Sequence, residues 1–369
     1  MGKVQETVLE IDLSALAHNY RLLRGRIREK TKLLAVVKAF AYGSDAVKVA
    51  QKLEALGVDY LAVAYVSEGV VLRDAGIRTP ILVLHPQIAN FDKIIEKCLE
   101  PSLYSERVLK AFLATAEKHG QKQYPIHLKF NTGLNRLGFS EAEIPLIAKE
   151  MKNNRAVKAI AVFSHLAASE DDGERSFTQQ QLNRFEGIAA KIDLEIGYRP
   201  FRHVLNTSGI LNYPQAQFHM VRSGIGLYGF GNDAKVDAQL RPIASLKTII
   251  SQIHTLKAGE SVGYNRAFIA GENCKIATLP LGHADGIGRI YGGGTTQVLL
   301  HDTAVYIVGN VCMDMIMIDV TEIDCSEGDE VTVFGNGITA TTFAETAHTI
   351  SYELLTGISQ RVTRRFIGD

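Results

Sequence analysis

Short apolar segments recur at nearly regular intervals along the first two thirds of this 369-residue chain, with helix-like stretches between them. The eight segments are 33–37, 60–65, 80–84, 102–104, 126–130, 159–164, 202–205 and 220–222. Strands this short and this apolar are typical of a parallel sheet that is covered on both faces. Eight strand-helix units favour a TIM-type (β/α)8 barrel over an open doubly wound sheet, which has fewer strands. The sequence therefore predicts an α/β barrel over residues 12–239.

The sequence pattern changes near residue 240, where short strand-like segments begin to alternate with Gly, Asp and Asn. These segments are 245–253, 275–279, 297–300, 304–308, 315–320 and 331–334. Regular spacing of this kind is typical of an all-β domain. We predict a C-terminal mainly-β domain over 240–369, to which residues 1–11 add a strand.

Charge and cysteine content narrow the class of partner and the compartment. Forty basic and forty acidic residues give a net charge of zero, so bulk electrostatics favours neither nucleic acid nor an anionic membrane. The expected partner is a small molecule. The four cysteines form no Cys-x-x-Cys pair, and the opening MGKVQETVLE has no apolar signal region. We expect a cytoplasmic protein without a metal site.

Lys38 closes the first apolar segment, at the point where a barrel strand would end. Active sites of such barrels lie at the carboxyl ends of the strands. Burial would lower the pKa of this lysine, and its neutral amine could then form a Schiff base with an aldehyde. For Lys38 considered alone, the alternative is a strand-end lysine whose amine only extends into water.

Many other polar residues follow the later strands, at the same predicted edge of the barrel. They are Lys129, Asn131, Arg136, His165, His203, Asn206, Thr207, Ser208, Arg222, Ser223, Gly224 and Gly226. Each one alone has a structural explanation, but their convergence at one barrel mouth predicts an active site there.

The loops after the last two strands have the composition of a phosphate site. Residues 206–209 place hydroxyl groups ahead of a short helix, and residues 223–226 provide glycines whose main-chain N–H groups a phosphate can approach closely. Barrels often hold a phosphate between these two loops. A phosphate on one side of the mouth and a Schiff-base lysine on the other match the two ends of pyridoxal 5′-phosphate, the predicted cofactor.

Nine motifs make the chain resemble the alanine racemases, which are barrel-plus-β-domain (fold type III) pyridoxal-phosphate enzymes. In family order they are AVVKAFAYG (35–43), HLKFNTGLNRLGF (127–139), FSHLA (163–167), RHVLNTSG (202–209), MVRSGIGLYG (220–229), SVGYNRAF (261–268), GHADGIGR (282–289), GNVCMDMIMIDV (309–320) and YELLTGISQRV (352–362). The resemblance implies an isomerase that interconverts L-alanine and D-alanine and supplies D-alanine for peptidoglycan in cell wall biogenesis.

The resemblance also implies the two catalytic bases. Lys38 would carry the cofactor and serve as one base, and Tyr264 would be the other. The two would act on opposite faces of the substrate's α-carbon, so that a proton removed on one face and returned on the other inverts the centre. Tyr264 would come from the partner subunit, which implies a homodimer.

Further site residues are carried over from the family pattern. The implied cofactor contacts are Tyr42, Arg136, His165, Asn206, Thr207, Arg222, Gly224, Ile225 and Tyr352. Arg222 would meet the pyridine nitrogen, to which a guanidinium can only donate a hydrogen bond. Arg136 and the main-chain N–H of Met313 would hold the substrate carboxylate. Lys129 would position Arg136 as a carbamylated lysine, with an ordinary lysine as the alternative.

Several positions depart from the family pattern. They are Phe40, Ser44, Asp45, Asn131, Asn135, His283 and Asn310. His283 and Asn310 match positions near the substrate access route, so a broader-specificity amino-acid racemase stays open as an alternative. So do a fold type III decarboxylase, a non-catalytic pyridoxal-phosphate-binding barrel, and a racemase fused to a cell-wall ligase. The segment Cys312-Met313-Asp314 favours the racemase over the decarboxylase.

Overall fold

The structure, a computed structural model, describes residues 4–231 and 234–368, and the chain divides into two compact units. The barrel unit contains Leu16–Ala41 and Ala46–Arg241. The β unit contains the described residues of Met1–Ala15, Tyr42–Asp45 and Pro242–Asp369. These limits lie within a few residues of the predicted 12–239 and 240–369, except that residues 42–45 fall in the β unit.

The regular elements of the barrel unit follow the predicted order. In the β unit the predicted segment 245–253 divides into two strands, and the strands Ser261–Val262, Phe268–Ile269 and Thr363–Ile367 were not predicted. The strands are β1 (Val8–Asp12), β2 (Lys32–Val36), β3 (Tyr60–Val63), β4 (Ile81–Val83), β5 (Glu100–Leu103), β6 (Tyr124–Lys129), β7 (Val157–Phe163), β8 (Phe201–His203), β9 (Met220–Ser223), β10 (Ala244–Ile249), β11 (Gln252–Leu256), β12 (Ser261–Val262), β13 (Phe268–Ile269), β14 (Cys274–Leu279), β15 (Gln297–Leu300), β16 (Thr303–Val308), β17 (Ile316–Asp319), β18 (Glu330–Phe334) and β19 (Thr363–Ile367). The α-helices are Leu13–Gly25, Ala46–Ala55, Val66–Asp74, Phe91–Glu96, Glu106–Lys118, Ile144–Asn153, Arg175–Ile196, Thr207–Asn212, Ala234–Asp237, Ala340–Glu345 and Ser351–Gly357.

The strands β2 to β9 form one eight-stranded parallel sheet in the order β8-β7-β6-β5-β4-β3-β2-β9. The remaining gap between β8 and β9 is bridged by main-chain hydrogen bonds. The N–H of Arg222 donates to the carbonyl of Leu205 at 3.0 Å, and that of His219 donates to Arg202 at 3.1 Å. The sheet is therefore a nearly closed barrel, which confirms the predicted fold class.

The helices of the barrel unit are amphipathic, as the helix Glu106–Lys118 illustrates. Ser105 caps its first turn by accepting a hydrogen bond from the amide of Val108 at 3.4 Å. Its buried residues recur every three to four positions: Val108, Leu109, Phe112, Leu113 and Ala116. This spacing produces one apolar face, which the helix buries against the barrel unit.

The β unit contains a nine-stranded sheet in the order β11-β14-β17-β16-β15-β18-β10-β1-β19. Its ladders are antiparallel except for β1 with β19, and β12 and β13 form a separate small ladder. The predicted N-terminal strand is therefore present as β1. None of the helices in the described part of the chain combines the length and the apolar composition that a membrane crossing requires.

Candidate active site

Lys38 follows β2 and opens a turn with left-handed backbone. Residues 39 to 42 have φ angles between 51° and 57°, and Gly43 follows at 81°. None of residues 39–42 is a glycine, and a left-handed conformation costs each such residue about 1–2 kcal/mol. Strain of this kind persists only where the surrounding structure enforces it, frequently at functional sites. The turn at Lys38 therefore needs support from other parts of the barrel unit.

The amine of Lys38 lies in surroundings that favour its neutral form. Burial lowers the pKa of Lys38, and the positive charge of Arg136 lowers it further, while the carboxylate of Glu68 opposes both effects. A neutral amine is the nucleophilic form. Lys38 is therefore suited to bond to an aldehyde and to accept a proton.

Lys129 is buried at the end of β6, with its Nζ atom 5.8 Å from the centre of the Phe163 ring. Burial lowers the pKa of Lys129 to about 8, and the charges of Arg136, Arg222 and Lys38 contribute to the shift. Among the residues that the structure describes, no carboxylate contributes to this shift. The amine is thus partly neutral near physiological pH.

Arg222 is buried inside the barrel and donates to several acceptors. Its Nη1 group lies 2.7 Å from Nδ1 of His203, and its Nη2 group lies 3.0 Å from Nδ1 of His165. Nη2 also donates to the carbonyls of Ser164 and Val204, at 2.8 and 3.1 Å. Burial lowers the pKa of Arg222 to about 9, which leaves the guanidinium charged at neutral pH. Among the described residues no acceptor meets its Nε–H, so the guanidinium retains a donor for a further ligand.

A column of polar side chains continues from Arg222 through the barrel interior. Nε2 of His203 lies 3.5 Å from Nδ1 of His127, whose Nε2 lies 2.8 Å from a carboxylate oxygen of Glu100. Glu100 and His127 were not singled out from the sequence. The available signal was a titratable residue within or just before a predicted strand, His127 within 126–130 and Glu100 before 102–104.

The surroundings of His165 show which predicted residues converge. Its pKa is lowered by burial and then, in decreasing order, by the charges of Arg222, Arg136, Lys129 and Lys38. Four cations from three strand ends, those of β2, β6 and β9, therefore act on one imidazole. Such an excess of positive charge fits an anionic ligand.

The loops after β8 and β9 meet at a pair of hydroxyl groups. The Oγ atoms of Thr207 and Ser223 lie 3.1 Å apart, and the amide of Gly226 donates to the Thr207 hydroxyl at 3.4 Å. A Cβ atom on Gly226 would lie 2.6 Å from Thr207 Cγ2, so only glycine permits this approach. The side chain of Asn206 caps the following helix by accepting from the Gly209 amide at 2.9 Å.

Gly224 and Ile225 are buried residues, and no acceptor for their main-chain N–H groups occurs in the described parts of the chain. Buried main-chain N–H groups are nearly always paired in native structures. This loop therefore fits a ligand that brings its own oxygen acceptors. A phosphate group has that chemistry, so the residues present fit the phosphate end of the predicted cofactor.

The loop that carries Arg136 is organised by two asparagines that depart from the family pattern. The side-chain oxygen of Asn131 accepts from the amides of Gly133 and Asn135, at 3.1 and 3.0 Å. Its Nδ2 atom donates to the side-chain oxygen of Asn135 at 2.8 Å. An aspartate at position 131 would lack that donor, so the two departures complement each other.

The other predicted site residues belong to the β unit. The rings of Tyr42 and Tyr352 have centroids 6.1 Å apart, and burial raises the pKa of Tyr42. Tyr264 is 73 % exposed, and Asn310 donates to its main-chain carbonyl at 3.0 Å. Met313 is also exposed. The roles assigned to Tyr42, Tyr264, Met313 and Tyr352 stay predictions.

Comparison with known proteins gives a consistent result over both units. Two family models match the chain: "Alanine racemase, N-terminal domain" over residues 11–231 and "Alanine racemase, C-terminal domain" over residues 243–366. Alanine racemase 2 of Caldanaerobacter subterraneus subsp. tengcongensis is 36 % identical over 374 residues, which cover 99 % of this chain and 96 % of that protein.

Solved structures agree with these matches. Alanine racemase of Clostridium difficile 630 superimposes with a TM-score of 0.93 at 33 % identity, covering 100 % of this chain and 97 % of that one. Alanine racemase of Bartonella henselae, solved with covalently bound pyridoxal phosphate, has a TM-score of 0.89 at 27 % identity and covers 98 % and 99 % of the two chains.

Proposed function

The chain belongs to the alanine racemase family, and we propose that it interconverts L-alanine and D-alanine with Lys38 and Tyr264 as the two bases. Enzymes of this family are isomerases that depend on pyridoxal phosphate. The single observation that supports this function best is the convergence of Lys38, Arg136 and Arg222 around His165 in the barrel unit. Supply of D-alanine for peptidoglycan is the physiological role that we propose.

The residues of the barrel unit fit the cofactor at three points. Lys38 would hold it covalently, Arg222 would donate to its ring nitrogen, and the amides of Gly224 and Ile225 with the Thr207 hydroxyl would hold its phosphate. When bound, the cofactor withdraws electrons from the substrate's α-carbon and makes the C–H bond there more acidic.

Lys38 would then act on the proton of that bond. Burial and the charge of Arg136 lower the pKa of its amine, which favours the neutral form that accepts a proton at Nζ. Tyr264, contributed by the partner subunit, would hold or release a proton at its phenolic oxygen on the opposite face. Removal on one face and return on the other inverts the α-carbon.

Arg222 would direct the reaction toward racemisation. A guanidinium retains its protons, so Arg222 donates to the ring nitrogen without protonating it. Electron withdrawal from the α-carbon is then weaker than with a protonated ring. Side reactions such as transamination are thereby disfavoured.

Lys129 would support Arg136 as a carbamate. Its neutral amine can react with carbon dioxide and release one proton to solvent, and the product is an anion on which the cations Arg136, Arg222 and Lys38 act. The repulsion between the Lys129 ammonium group and these three cations is thereby replaced by attraction. Carbon-13 NMR after incubation with labelled bicarbonate would show a carbamate signal that Lys129→Met lacks; identical spectra of the two proteins would contradict it.

Exchange of the α-proton of each alanine in heavy water tests the two bases. Wild type should exchange and invert both enantiomers. Tyr264→Phe should lose exchange from L-alanine by about 10²–10⁴-fold while keeping more of the exchange from D-alanine. Lys38→Ala should lose the absorbance of the bound cofactor.

Tyr306→Phe is the matched control, because Tyr306 is another exposed tyrosine of the β unit, at 49 % exposure. It should exchange both enantiomers at the wild-type rate. Full exchange of L-alanine by Tyr264→Phe would refute the assignment of Tyr264.

Mixing inactive variants tests the proposed homodimer. If Tyr264 serves the partner's site, a mixed dimer of Tyr264→Phe and Lys38→Ala has both substitutions in one of its two sites and neither in the other. Equal amounts, unfolded and refolded together, should recover roughly a quarter of wild-type activity, since half of the dimers are mixed and each has one intact site. No recovery would contradict the donation of Tyr264 by a partner.

A further inference from the structure

The carboxylate of Glu68 binds three main-chain N–H groups from two neighbouring strand ends. One oxygen accepts from Ala39 at 2.6 Å. The other accepts from Ala64 at 2.6 Å and from Tyr65 at 3.0 Å. Ala39 is the first left-handed residue after Lys38, whereas Ala64 and Tyr65 follow β3. One side chain therefore ties the Lys38 turn to the next strand of the barrel.

Part of this arrangement is an ordinary helix cap. Glu68 is the third residue of the helix Val66–Asp74, and it accepts from the amide of the capping residue Tyr65 as in a capping box. Glu143 makes the equivalent bond elsewhere, accepting from the amide of Ser140 at 2.8 Å. The bond to Ala39 has no counterpart at Glu143, so capping does not account for it.

The bond to Ala39 acts where the backbone is least stable by itself. Residues 39–42 adopt left-handed angles without a glycine among them, an arrangement that is unfavourable in isolation. A hydrogen bond to an ionised carboxylate is stronger than one between neutral groups. In the described chain, Glu68 is also the one carboxylate whose charge acts on Lys38. The other titratable neighbours of Lys38 are Arg136, Lys129 and His165.

We propose that Glu68 is a positioning residue for the reaction, which holds the Lys38 turn in its left-handed conformation and thereby fixes the Lys38 amine at the barrel mouth. This role of Glu68 rests on the proposed function, in which Lys38 is a catalytic base. Glu68 acts through Ala39 and does not itself exchange a proton with the substrate.

The test compares Glu68→Ala and Glu68→Gln with the matched control Glu143→Ala. The first readout is hydrogen exchange of the main-chain amides of residues 37–43, measured by mass spectrometry on the full chain with and without cofactor. Glu68→Ala should accelerate this exchange at least tenfold in both forms. Glu143→Ala should leave it at the wild-type rate.

The second readout is the α-proton exchange of D-alanine as a function of pH. Glu68→Ala should lower kcat by about 10–100-fold with little change in KM, since a misplaced base slows the chemical step. Loss of the carboxylate also lowers the pKa of Lys38, so the rise of kcat with pH should move to lower pH. Glu68→Gln keeps one acceptor oxygen in place of two and loses the charge, so it should show the pH shift with a smaller loss of kcat than Glu68→Ala.

Two outcomes would overturn the proposal: amide exchange in residues 37–43 that equals that of Glu143→Ala, or a kcat and pH profile that equal those of Glu143→Ala. If wild type exchanges neither alanine, the proposed function fails instead. The amide exchange of residues 37–43 still decides the role of Glu68 in that case, so the two failures are distinguishable. Glu68→Gln keeps the test decisive if Glu68→Ala does not fold.

Discussion

The Nη1 group of Arg222 donates a hydrogen bond to Nδ1 of His203 across 2.7 Å inside the barrel. Because a guanidinium has no acceptor, Nδ1 must be unprotonated, and the hydrogen of the neutral imidazole lies on Nε2. That hydrogen points to Nδ1 of His127, which in turn bonds through Nε2 to Glu100. The orientation of Arg222 and the tautomers of both histidines are thus determined together.

We therefore expect His203 to remain neutral, with its proton on Nε2, from about pH 6 to pH 9. Burial and the charge of Arg222 hold the pKa of His203 well below its usual value, so no protonation should occur in this range. Nitrogen-15 NMR of histidine-labelled protein reports the tautomer, with His203→Gln to assign the signal. A His203 signal that titrates near pH 6.5, or an Nδ1–H tautomer, would contradict this expectation.

The barrel could be predicted closely from the sequence, whereas the contacts that hold its site residues in place could not. All eight predicted strands exist, because apolar runs bounded by polar residues leave few other arrangements. Lys38, Arg222 and His165 could be predicted to converge, since parallel strands place their carboxyl ends at one edge.

The left-handed turn after Lys38 had no signal in the sequence. Ala39 and Phe40 have no local preference for positive φ, and the turn exists because of tertiary contacts. Its hydrogen bond to Glu68 joins residues that are distant in sequence, and a single chain carries no record of such pairing. Glu100 and His127 were not predicted for a related reason. Buried strands are recognised from their apolar residues, and this pattern does not show which polar residues face the barrel interior.

Asn310 holds the turn that presents Tyr264, and its removal should impair one direction of proton transfer. Its side-chain amide donates to the carbonyl of Tyr264 at 3.0 Å, and the next residue, Asn265, has a left-handed φ of 61°. Loss of one hydrogen bond worth about 1 kcal/mol should slow α-proton removal from L-alanine in Asn310→Ala roughly fivefold. Removal from D-alanine should change less, as measured by exchange in heavy water.

Asn273→Ala is a suitable control for this substitution, because Asn273 is an exposed asparagine of the same unit. Its rates should match those of wild type with both enantiomers. Equal slowing of both enantiomers in Asn310→Ala would show that Asn310 does not act through Tyr264.

Lys129 should make the folding stability depend on pH when carbon dioxide is excluded. The pKa of Lys129 is about 8 in the folded protein, against an ordinary value of about 10.4 in the unfolded chain. Between these values the unfolded chain binds a proton that the folded protein lacks, so this residue makes stability rise with pH. Its destabilising effect is fully present below about pH 8 and disappears by about pH 10.

Lys129→Met should consequently be more stable than wild type below pH 8, by up to about 3 kcal/mol, and the difference should vanish as pH approaches 10. Urea unfolding at pH 7 and pH 10 in degassed buffer measures both values. Lys158→Met, at an exposed lysine of β7, should show no such trend. A difference between wild type and Lys129→Met that stays constant with pH would rule out a lowered pKa.

His283 should broaden the substrate range without altering the backbone around it. The amides of His283 and Ala284 donate to the carbonyls of Cys312 and Met313, both at 3.0 Å. A Cβ atom on Gly282 would lie 2.3 Å from the Cys312 carbonyl, so this segment lies directly against residues 312 and 313. A substitution at position 283 therefore changes the exposed side chain while the main chain stays in place.

We expect wild type to prefer alanine yet to accept serine more readily than His283→Tyr does, because tyrosine is the usual family residue there and is bulkier. A difference of about 1 kcal/mol in transition-state binding would lower the ratio of serine to alanine turnover roughly fivefold in the variant. The ratio of kcat/KM values for the two amino acids measures it. The control is His254→Tyr, at another exposed histidine of the β unit, which should leave the ratio unchanged. If His283→Tyr and wild type have the same ratio, position 283 does not select the substrate.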